Sequence, residues 1–450
     1  MAKGKVLVVV IVLLIVLVGF LQYNGQLSLD GLGSLSGNDV KDTDNDGVQD
    51  KFDACPTIPG SIYNNGCPEE NESPPPTTNP STTVAPTQTN PPVTQSPTDL
   101  SLGLKDYPMK WYDASSSGNT PNEIDSKDLL WHLDTNSFST YGAPVVGYGR
   151  AYLYVIENET ESYLYCLDET DGSIYWKAPI IFVAMMDSPV LYDGNVYIAE
   201  ISVKGFDAIS GEPVLDINER DQEYTKYLAV SDGMLFSGAT GIFCLDLDSG
   251  VVKWNYEDPS SPYIGSNIVY ADRRLFACTG KDAFCVDVNT GALVWSSEIP
   301  LSYYSMYNIS YYQGKVIVSN FSGNLTCLNA STGDQVWQLN YNGPNPDYQY
   351  SPVSVANDRL YFVGTDDGLF CHDVNTGAMI WKEPFLKIST TTPLLGFDQI
   401  FTISTDGQMM SHKISNGDLQ WELSVDPYSM FSIANDRIYL TYGEYVVCYG

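Results

Sequence analysis

Short runs in which apolar and polar residues alternate recur from Val145 to the end of the chain. In residues 189–198, two such runs flank the pair Asp193-Gly194. Alternation with period two is typical of β-strands that bury one face. Asp-Gly and Asn-Asp pairs favour the backbone angles of tight turns. Each pair of runs therefore predicts a β-hairpin.

A second pattern follows most hairpins: Cys-x-Asp, then a Thr/Ser-Gly turn, then a run ending in Trp. The Cys-containing run predicts a third strand and the Trp-containing run a fourth. Four strands in a unit of roughly 40 residues are typical of one β-propeller blade. The clear copies are Cys166 to Trp176, Cys244 to Trp254, Cys285 to Trp295, Cys327 to Trp337 and Cys371 to Trp381, with a weaker copy from Ser411 to Trp421.

The numbers of hairpins and fourth strands differ by one. Eight hairpins begin near Val145, Pro189, Ala229, Ile268, Tyr311, Val353, Leu394 and Phe431, but only seven are followed by a fourth strand. An unpaired edge in the last blade would be a liability. Residues 129–133, around Trp131, have the pattern of the missing strand. We therefore expect an all-β, eight-bladed propeller of four-stranded blades, whose last blade is closed by the strand near Trp131.

This repeat resembles the pyrroloquinoline-quinone-type propeller repeat over residues 125–450. The resemblance implies that each Trp packs on the neighbouring blade. The second unit has Gly205 and Leu215 where the five clear copies have Cys and Trp, so its blade is expected to be the least regular.

Most cysteines share one position of the repeat, where a small buried hydrophobe is needed, and free Cys is such a residue. We expect these thiols, and Cys278, to be buried. The Asp two residues after the Cys recurs with the repeat (Asp168, Asp246, Asp287, Asp373), which favours a structural role. The three histidines are expected at different repeat positions.

The family that this repeat resembles includes a class of quinone-dependent oxidoreductases. Membership of that class would imply an adjacent Cys-Cys pair, a calcium ion and an Asp base. The sequence contains no Cys-Cys pair and no Cys-x-x-Cys-His haem motif. No catalytic or cofactor-binding residue is predicted in the propeller, and such an oxidoreductase is kept as the alternative to a non-catalytic protein.

The formal net charge of −33 restricts the partners. A protein so acidic has little with which to neutralise phosphates, so nucleic acid is excluded as a ligand. The same charge disfavours adsorption to anionic lipid and is typical of a soluble, self-repelling extracellular domain.

The N-terminal part is divided by composition. Residues 6–21 are continuously apolar after Lys3 and Lys5, which favours a signal-anchor helix over 1–24 with the rest of the chain outside the cell, or else a cleaved signal peptide. A spacer, 25–39, follows. Residues 71–100 are rich in Pro and Thr and predict a disordered, extended linker. Residues 101–124 form a lead-in to the propeller.

One motif, between Asp42 and Asp53, predicts a metal-binding site. Carboxylates at positions 1, 3, 5, 9 and 12 of a twelve-residue loop, with Gly47 at position 6, match the ligand spacing that calcium prefers. An acidic disordered segment and a magnesium site are less consistent with a full ligand set. The predicted ligands are Asp42, Asp44, Asp46, the Val48 carbonyl, Asp50 and Asp53.

With Cys55-Pro and Cys67-Pro after it, this motif resembles the thrombospondin type 3 repeat, in residues 40–70. The resemblance implies calcium binding and a Cys55–Cys67 disulfide. A dockerin or EF-hand loop is the alternative, although no amphipathic helices flank this one.

Together these features predict a membrane-anchored, calcium-binding cell-surface protein whose propeller binds an extracellular protein or glycan. Tyrosines in residues 302–307 and 347–350 are expected either to form the binding face or to pack between blades.

Overall fold

The computed structural model of the chain describes residues 102–450, apart from 104, 110–112, 114–115, 182–187, 201, 218–226, 259–262, 301–306, 321–322, 341–350, 365–367 and 385–391. The predicted segments 1–24, 25–39, 40–70 and 71–100 lie outside the described residues. Every regular element in the described part of the chain is a β-strand.

The strands form eight four-stranded antiparallel sheets, which we call blades 1 to 8. The blades contain, in order: β2 Ser139–Gly147, β3 Arg150–Ile156, β4 Ser162–Asp168 and β5 Ile174–Ile180; β6 Val190–Tyr192, β7 Asn195–Ala199, β8 Val203–Asp207 and β9 Pro213–Ile217; β10 Tyr227–Ser231, β11 Met234–Ala239, β12 Gly241–Asp246 and β13 Val251–Tyr256; β14 Val269–Ala271, β15 Arg274–Cys278, β16 Asp282–Asp287 and β17 Leu293–Glu298; β18 Tyr307–Tyr312, β19 Lys315–Asn320, β20 Asn324–Asn329 and β21 Gln335–Asn340; β22 Ser354–Ala356, β23 Arg359–Gly364, β24 Gly368–Asp373 and β25 Met379–Pro384; β26 Leu394–Leu395, β27 Gln399–Ile403, β28 Gln408–Lys413 and β29 Leu419–Ser424; and β30 Met430–Ala434, β31 Arg437–Tyr442, β32 Tyr445–Tyr449 and β1 Leu129–Asp134.

Blade 8 is completed by the N-terminal strand, as the sequence predicts. Strand β1 pairs antiparallel with β32, and Trp131 lies opposite Cys448. The covalent turn present in the other blades is replaced by a hydrogen bond in which Gly450 N donates to Asp128 O over 3.1 Å. The first strand of blade 8 also contacts the first strand of blade 1, so the ring is closed.

The third and fourth strands of all eight blades share one register. Cys285 lies opposite Trp295, and the pairing shifts by one residue directly after this pair, as in a β-bulge. The equivalent pairs are Cys166–Trp176, Gly205–Leu215, Cys244–Trp254, Cys327–Trp337, Cys371–Trp381, Ser411–Trp421 and Cys448–Trp131.

Each described Trp at this position that precedes a Gly-containing turn packs over that glycine in the next blade. A Cβ on Gly333 would lie 2.7 Å from the Trp295 ring, and Trp295 Nε1 donates to Ala330 O over 2.9 Å. The other ring contacts are Trp131–Gly172, Trp176–Gly211, Trp254–Gly291, Trp337–Gly377 and Trp381–Gly417. These glycines have positive φ, so neither the backbone nor the space admits a side chain.

Blade 2 departs from this scheme in its contact with blade 3, not in its own strands. Gly205 and Leu215 keep the common register and the bulge, so the expectation of an irregular blade is wrong at the level of strand pairing. Since Leu215 is much smaller than Trp, no atom of the described residues lies within 4 Å of a Cβ built on Gly250.

The core lies between adjacent blades, where buried side chains of one sheet pack against the next. The seven cysteines of the propeller are all free and buried, as predicted. Burial raises the pKa of the Cys166, Cys285, Cys327 and Cys448 thiols to about 12, so these groups stay protonated at neutral pH.

Candidate functional site

The two ends of the ring differ in the loops they carry. In an antiparallel four-stranded blade, the turns after strands one and three lie at the same end, which we call the turn face. The turn between strands two and three and the connections between blades lie at the other end, the connection face. The functional candidates are therefore these two faces, the outer rim and the axial opening.

On the turn face, the recurring Asp closes the turn between the third and fourth strands. Asp287 Oδ1 accepts hydrogen bonds from the N–H groups of Asn289 and Thr290, at 3.1 and 3.0 Å. The side chains of Asp168, Asp207, Asp246 and Asp373 make equivalent bonds. Hydrogen bonds from Ser249 lower the pKa of Asp246 to about 2. The predicted structural role of these carboxylates is confirmed.

Tyrosines on the same face connect neighbouring blades. The Tyr148 hydroxyl accepts a hydrogen bond from Gly194 N at 2.9 Å, and the Tyr192 hydroxyl accepts one from Gly233 N at 2.8 Å. Tyr270 and Tyr311 donate to carboxylates of the preceding blade, Asp232 and Asp272. These tyrosines are blade-packing residues. The tyrosine-rich residues 302–306 and 347–350 lie outside the described part of the chain.

The described residues of the lead-in lie along the axial opening at the turn face and hydrogen-bond to the first strands of several blades. The N–H groups of Leu191, Val355 and Leu395 donate to carbonyls of the lead-in over 2.7–2.8 Å. The acceptors are Pro108, Ser117 and Gly118. Because the first strand of each blade is the edge that faces the axis, these bonds pair groups that a bare ring would leave exposed.

Side chains of the lead-in extend these contacts around the ring. Asn122 is fully buried, and its Nδ2 donates to Ile433 O in blade 8 over 3.1 Å. Asn267, beside blade 4, donates to Ser116 Oγ over 2.9 Å. Gly118 has φ +66°, and a Cβ there would lie 2.1 Å from Ser354 Oγ. The described residues of the lead-in thus cover the inner strands of the ring at this face, in close contact.

A polar cluster joins the lead-in to the seam between blades 8 and 1. Asn435 Nδ2 donates to Asp106 Oδ1 at 3.2 Å and to Glu169 Oε2 at 2.9 Å. Arg437 donates to the Glu169 carbonyl at 2.7 Å. Burial raises the pKa of the Glu169 carboxyl group. The cluster's hydrogen bonds hold three chain segments together, which is a structural role.

On the connection face, Glu200 is a buried carboxylate that the sequence reasoning missed. Its Oε2 lies 3.0 Å from Lys204 Nζ, and its Oε1 accepts from Ile181 N at 3.1 Å. Burial raises its pKa. The residue ties the chain leaving blade 1 to blade 2. Its signal in the sequence is weak, because a single Glu at the end of a strand is normally exposed.

Two histidines share one repeat position, so the expectation that all three differ is wrong. His372 and His412 follow Cys371 and Ser411 directly, and the Nδ1 atom of each lies within 2.9 Å of the carbonyl of a turn glycine. Burial lowers both pKa values. His132 instead stacks on Tyr445 in blade 8, with 5.1 Å between the ring centres.

Neither metal-ligand clusters nor membrane spans occur in the described part of the chain. No group of three or more His, Cys, Asp or Glu side chains there is arranged to hold a metal ion, and no helix there is long and apolar enough to cross a bilayer. The predicted calcium ligands, Asp42, Asp44, Asp46, Val48, Asp50 and Asp53, and the predicted Cys55–Cys67 pair lie outside these residues.

Two curated proteins resemble the chain in sequence. The outer membrane protein assembly factor BamB of Shewanella oneidensis is 24% identical over 137 residues, covering 28% of the chain and 35% of that protein. The tetrathionate hydrolase of Acidithiobacillus ferrooxidans is 21% identical over 292 residues, covering 62% of the chain and 46% of that protein. The chain thus spans between a third and a half of the curated relatives it matches.

A solved structure and a family model complete the comparison. The quinohemoprotein alcohol dehydrogenase of Comamonas testosteroni shares the fold with a TM-score of 0.62 at 12% identity, covering 77% of the chain and 80% of that protein. The family model described as outer membrane protein assembly factor BamB matches residues 123–383 and 322–448. Since these matches cover all eight blades, the chain belongs to the BamB family of pyrroloquinoline-quinone-type β-propellers.

Proposed function

We propose that the chain is a membrane-anchored, calcium-binding cell-surface protein whose propeller is a rigid, non-catalytic ring that binds an extracellular protein or glycan. The apolar residues 6–21 supply the anchor, the acidic loop Asp42 to Asp53 binds calcium, and residues 71–100 act as the stalk. The propeller at the end of this stalk is the binding domain.

The observation that carries the proposal is the lead-in in the axial opening. The first strands of all the blades converge only around the axis, so a ligand contacting several blades would lie there. In this chain, the described residues of the segment 105–124 lie at that position at the turn face and hydrogen-bond to blades 1, 2, 4, 6, 7 and 8. The recurring Cys and Asp residues are engaged in the core and in turns, which leaves the outer surfaces for binding.

The competing function is that of a quinone-dependent oxidoreductase. It is considered because the chain shares its fold with the alcohol dehydrogenase from Comamonas testosteroni. The full chain, purified in detergent micelles, would be mixed with pyrroloquinoline quinone and calcium chloride, then gel-filtered and assayed for dye reduction with alcohols and aldoses. We expect no quinone absorbance to co-elute with the chain and no turnover. An apo-form of a quinohemoprotein dehydrogenase reconstituted in parallel is the control. Stoichiometric quinone or turnover would overturn the proposal.

The calcium site has its own test. The double variant Asp42→Ala/Asp46→Ala of the full chain removes two carboxylate ligands, and we expect calorimetric calcium binding to disappear while the melting temperature of the propeller stays unchanged. An unaltered calcium titration would remove the site. A glycan array probed with the full chain then separates a glycan ligand from a protein ligand.

A further inference from the structure

The junction between blades 2 and 3 lacks the indole that fills the equivalent junctions elsewhere in the ring. Turn glycines such as Gly291 and Gly333 lie beneath a Trp of the preceding blade, whereas no described atom lies within 4 Å of a Cβ built on Gly250, and Gly250 and the nearby Leu247 are only partly buried. The cause is Leu215, which stands at the Trp position of blade 2. We call this opening the rim notch and define it by Leu215, Leu247, Gly250 and Val252.

The rim notch has an apolar lining. Leu215, Leu247 and Val252 are partly buried against the core between blades 2 and 3. Two further apolar side chains at the rim are solvent-exposed: Val214, at 52%, and Val251, at 59%. The turn between Leu247 and Val252 contains Gly250, which has open space above it.

The rest of the ring shows what chemistry fits such a position. At five junctions the indole N–H of the preceding blade donates to the carbonyl three residues after the Cys position, at 2.9–3.3 Å. In blade 3 the equivalent carbonyl is that of Leu247. The side chain of Leu215 has no N–H group that could donate to it. A flat aromatic ring with one N–H donor therefore matches both the shape and the hydrogen bonding of the notch.

The charges around the notch favour particular residues beside the aromatic side chain in a partner. Asp246 and Asp248 lie on either side of Leu247 in the turn of blade 3, and Asp248 is exposed. Lys253 is the cation at this site and is paired with Asp246, with 3.2 Å between Nζ and Oδ2. The surroundings remain acidic, so a cationic partner segment is favoured.

We propose that the rim notch is a docking site for a tryptophan side chain of a partner protein, presented next to basic residues. The indole would lie over Gly250 and donate to Leu247 O, as Trp254 lies over Gly291 and donates to Val288 O one blade further on. This inference rests on the proposed function as a binding ring and gives that ring one specific contact.

The test uses the full chain and a fluorescein-labelled peptide, acetyl-Arg-Trp-Arg-amide, with acetyl-Arg-Ala-Arg-amide as the matched probe. By fluorescence anisotropy we expect the Trp peptide to bind at least tenfold more tightly than the Ala peptide. Leu215→Trp fills the notch from within, so it should abolish this difference and raise the melting temperature by a few degrees. Equal affinities of the two peptides for the wild-type chain, or unchanged selectivity in Leu215→Trp, would overturn the proposal.

One further variant tests the interpretation. Trp254→Leu uncovers Gly291 and should create a second binding site for the Trp peptide. If this variant does not fold, the comparison of the wild-type chain with Leu215→Trp remains the deciding test. Loss of peptide selectivity without quinone turnover would refute the notch alone, whereas quinone turnover would refute the binding-ring function.

Discussion

The seam between blades 8 and 1 and the junction between blades 2 and 3 are built in opposite ways. At the seam, Trp131 lies on β1, which no covalent turn joins to β32, the third strand of its blade, yet it packs over Gly172 and donates to Glu169 O at 3.0 Å, as within the ring. Blade 2 is continuous from its first to its fourth strand, yet the indole is missing and Gly250 is left open. The fit between blades thus depends on the Trp–Gly contact and not on whether the strand that carries the Trp is covalently joined to its own blade.

The largest effect is expected for Trp131→Ala at the seam. The substitution removes a buried indole and leaves Gly172 uncovered, so the free energy of unfolding should fall by about 3–5 kcal/mol. Trp295→Ala, inside the ring, is the control, and urea denaturation should give a similar loss for both. A much larger loss for Trp131→Ala would mean that the seam depends on that strand in a way the other junctions do not.

Gly118→Ala tests the fit of the lead-in in the axial opening. The new methyl group would collide with Ser354 Oγ, and Gly118 has a positive φ. We therefore expect the free energy of unfolding to fall by about 2–4 kcal/mol. Gly149→Ala is the matched control, because its φ is +73° and no described atom lies within 4 Å of its Cβ position. In Gly149→Ala only backbone strain should lower the free energy of unfolding, by about 1–2 kcal/mol. Equal losses for the two variants would show that the lead-in is loosely held.

A second glycine pair compares the two kinds of junction directly. Gly291 and Gly250 have nearly equal φ values, +69° and +67°, but only Gly291 lies beneath an indole, with Trp254 at 2.6 Å from a built Cβ. Gly291→Ala should therefore destabilise the chain by about 1–3 kcal/mol more than Gly250→Ala. The difference between their urea midpoints measures the indole contact. No difference would contradict the interpretation of the rim notch.

The smallest effect concerns pH. Because burial lowers the pKa of His372 and His412 in the folded chain, the unfolded chain binds protons first as the pH falls below about 6.5. Stability from these residues is therefore complete above that pH and falls as the pH decreases towards their folded pKa values. The double variant His372→Gln/His412→Gln should have a flatter stability profile between pH 7 and 5. An identical slope in the variant would exclude these histidines as the cause.

The sequence predicts the ring well because the ring is periodic. The number of blades, the closing strand at Trp131 and the burial of the cysteines all follow from the repeat and recur in the structure. The path of the lead-in could not be predicted, since the sequence of residues 102–124 has no period and the described residues among them bind largely through backbone groups. Its buried Asn122 and the steric need for Gly118 become evident only when blades distant in sequence are brought together.

The same limit applies to the rim notch. The replacement of Trp by Leu215 is visible in the sequence, where it predicts an irregular blade. The structure shows that Gly205 and Leu215 preserve the strand pairing and that the missing volume lies between blades. A repeat pattern predicts which residues pair within a sheet, but not how a smaller side chain alters the contact with the next sheet.

Amide hydrogen exchange at the first strands tests the central claim, that the lead-in covers the inner strands of the ring, most directly. The N–H groups of Val146, Leu191, Val355 and Leu395 donate to the lead-in, so in the full chain at neutral pH they should exchange as slowly as the central-strand amides of Phe236 and Phe276. Protection of all four amides is the predicted result. Exchange of these amides at the rate of an exposed edge strand, while the central strands stay protected, would contradict the claim.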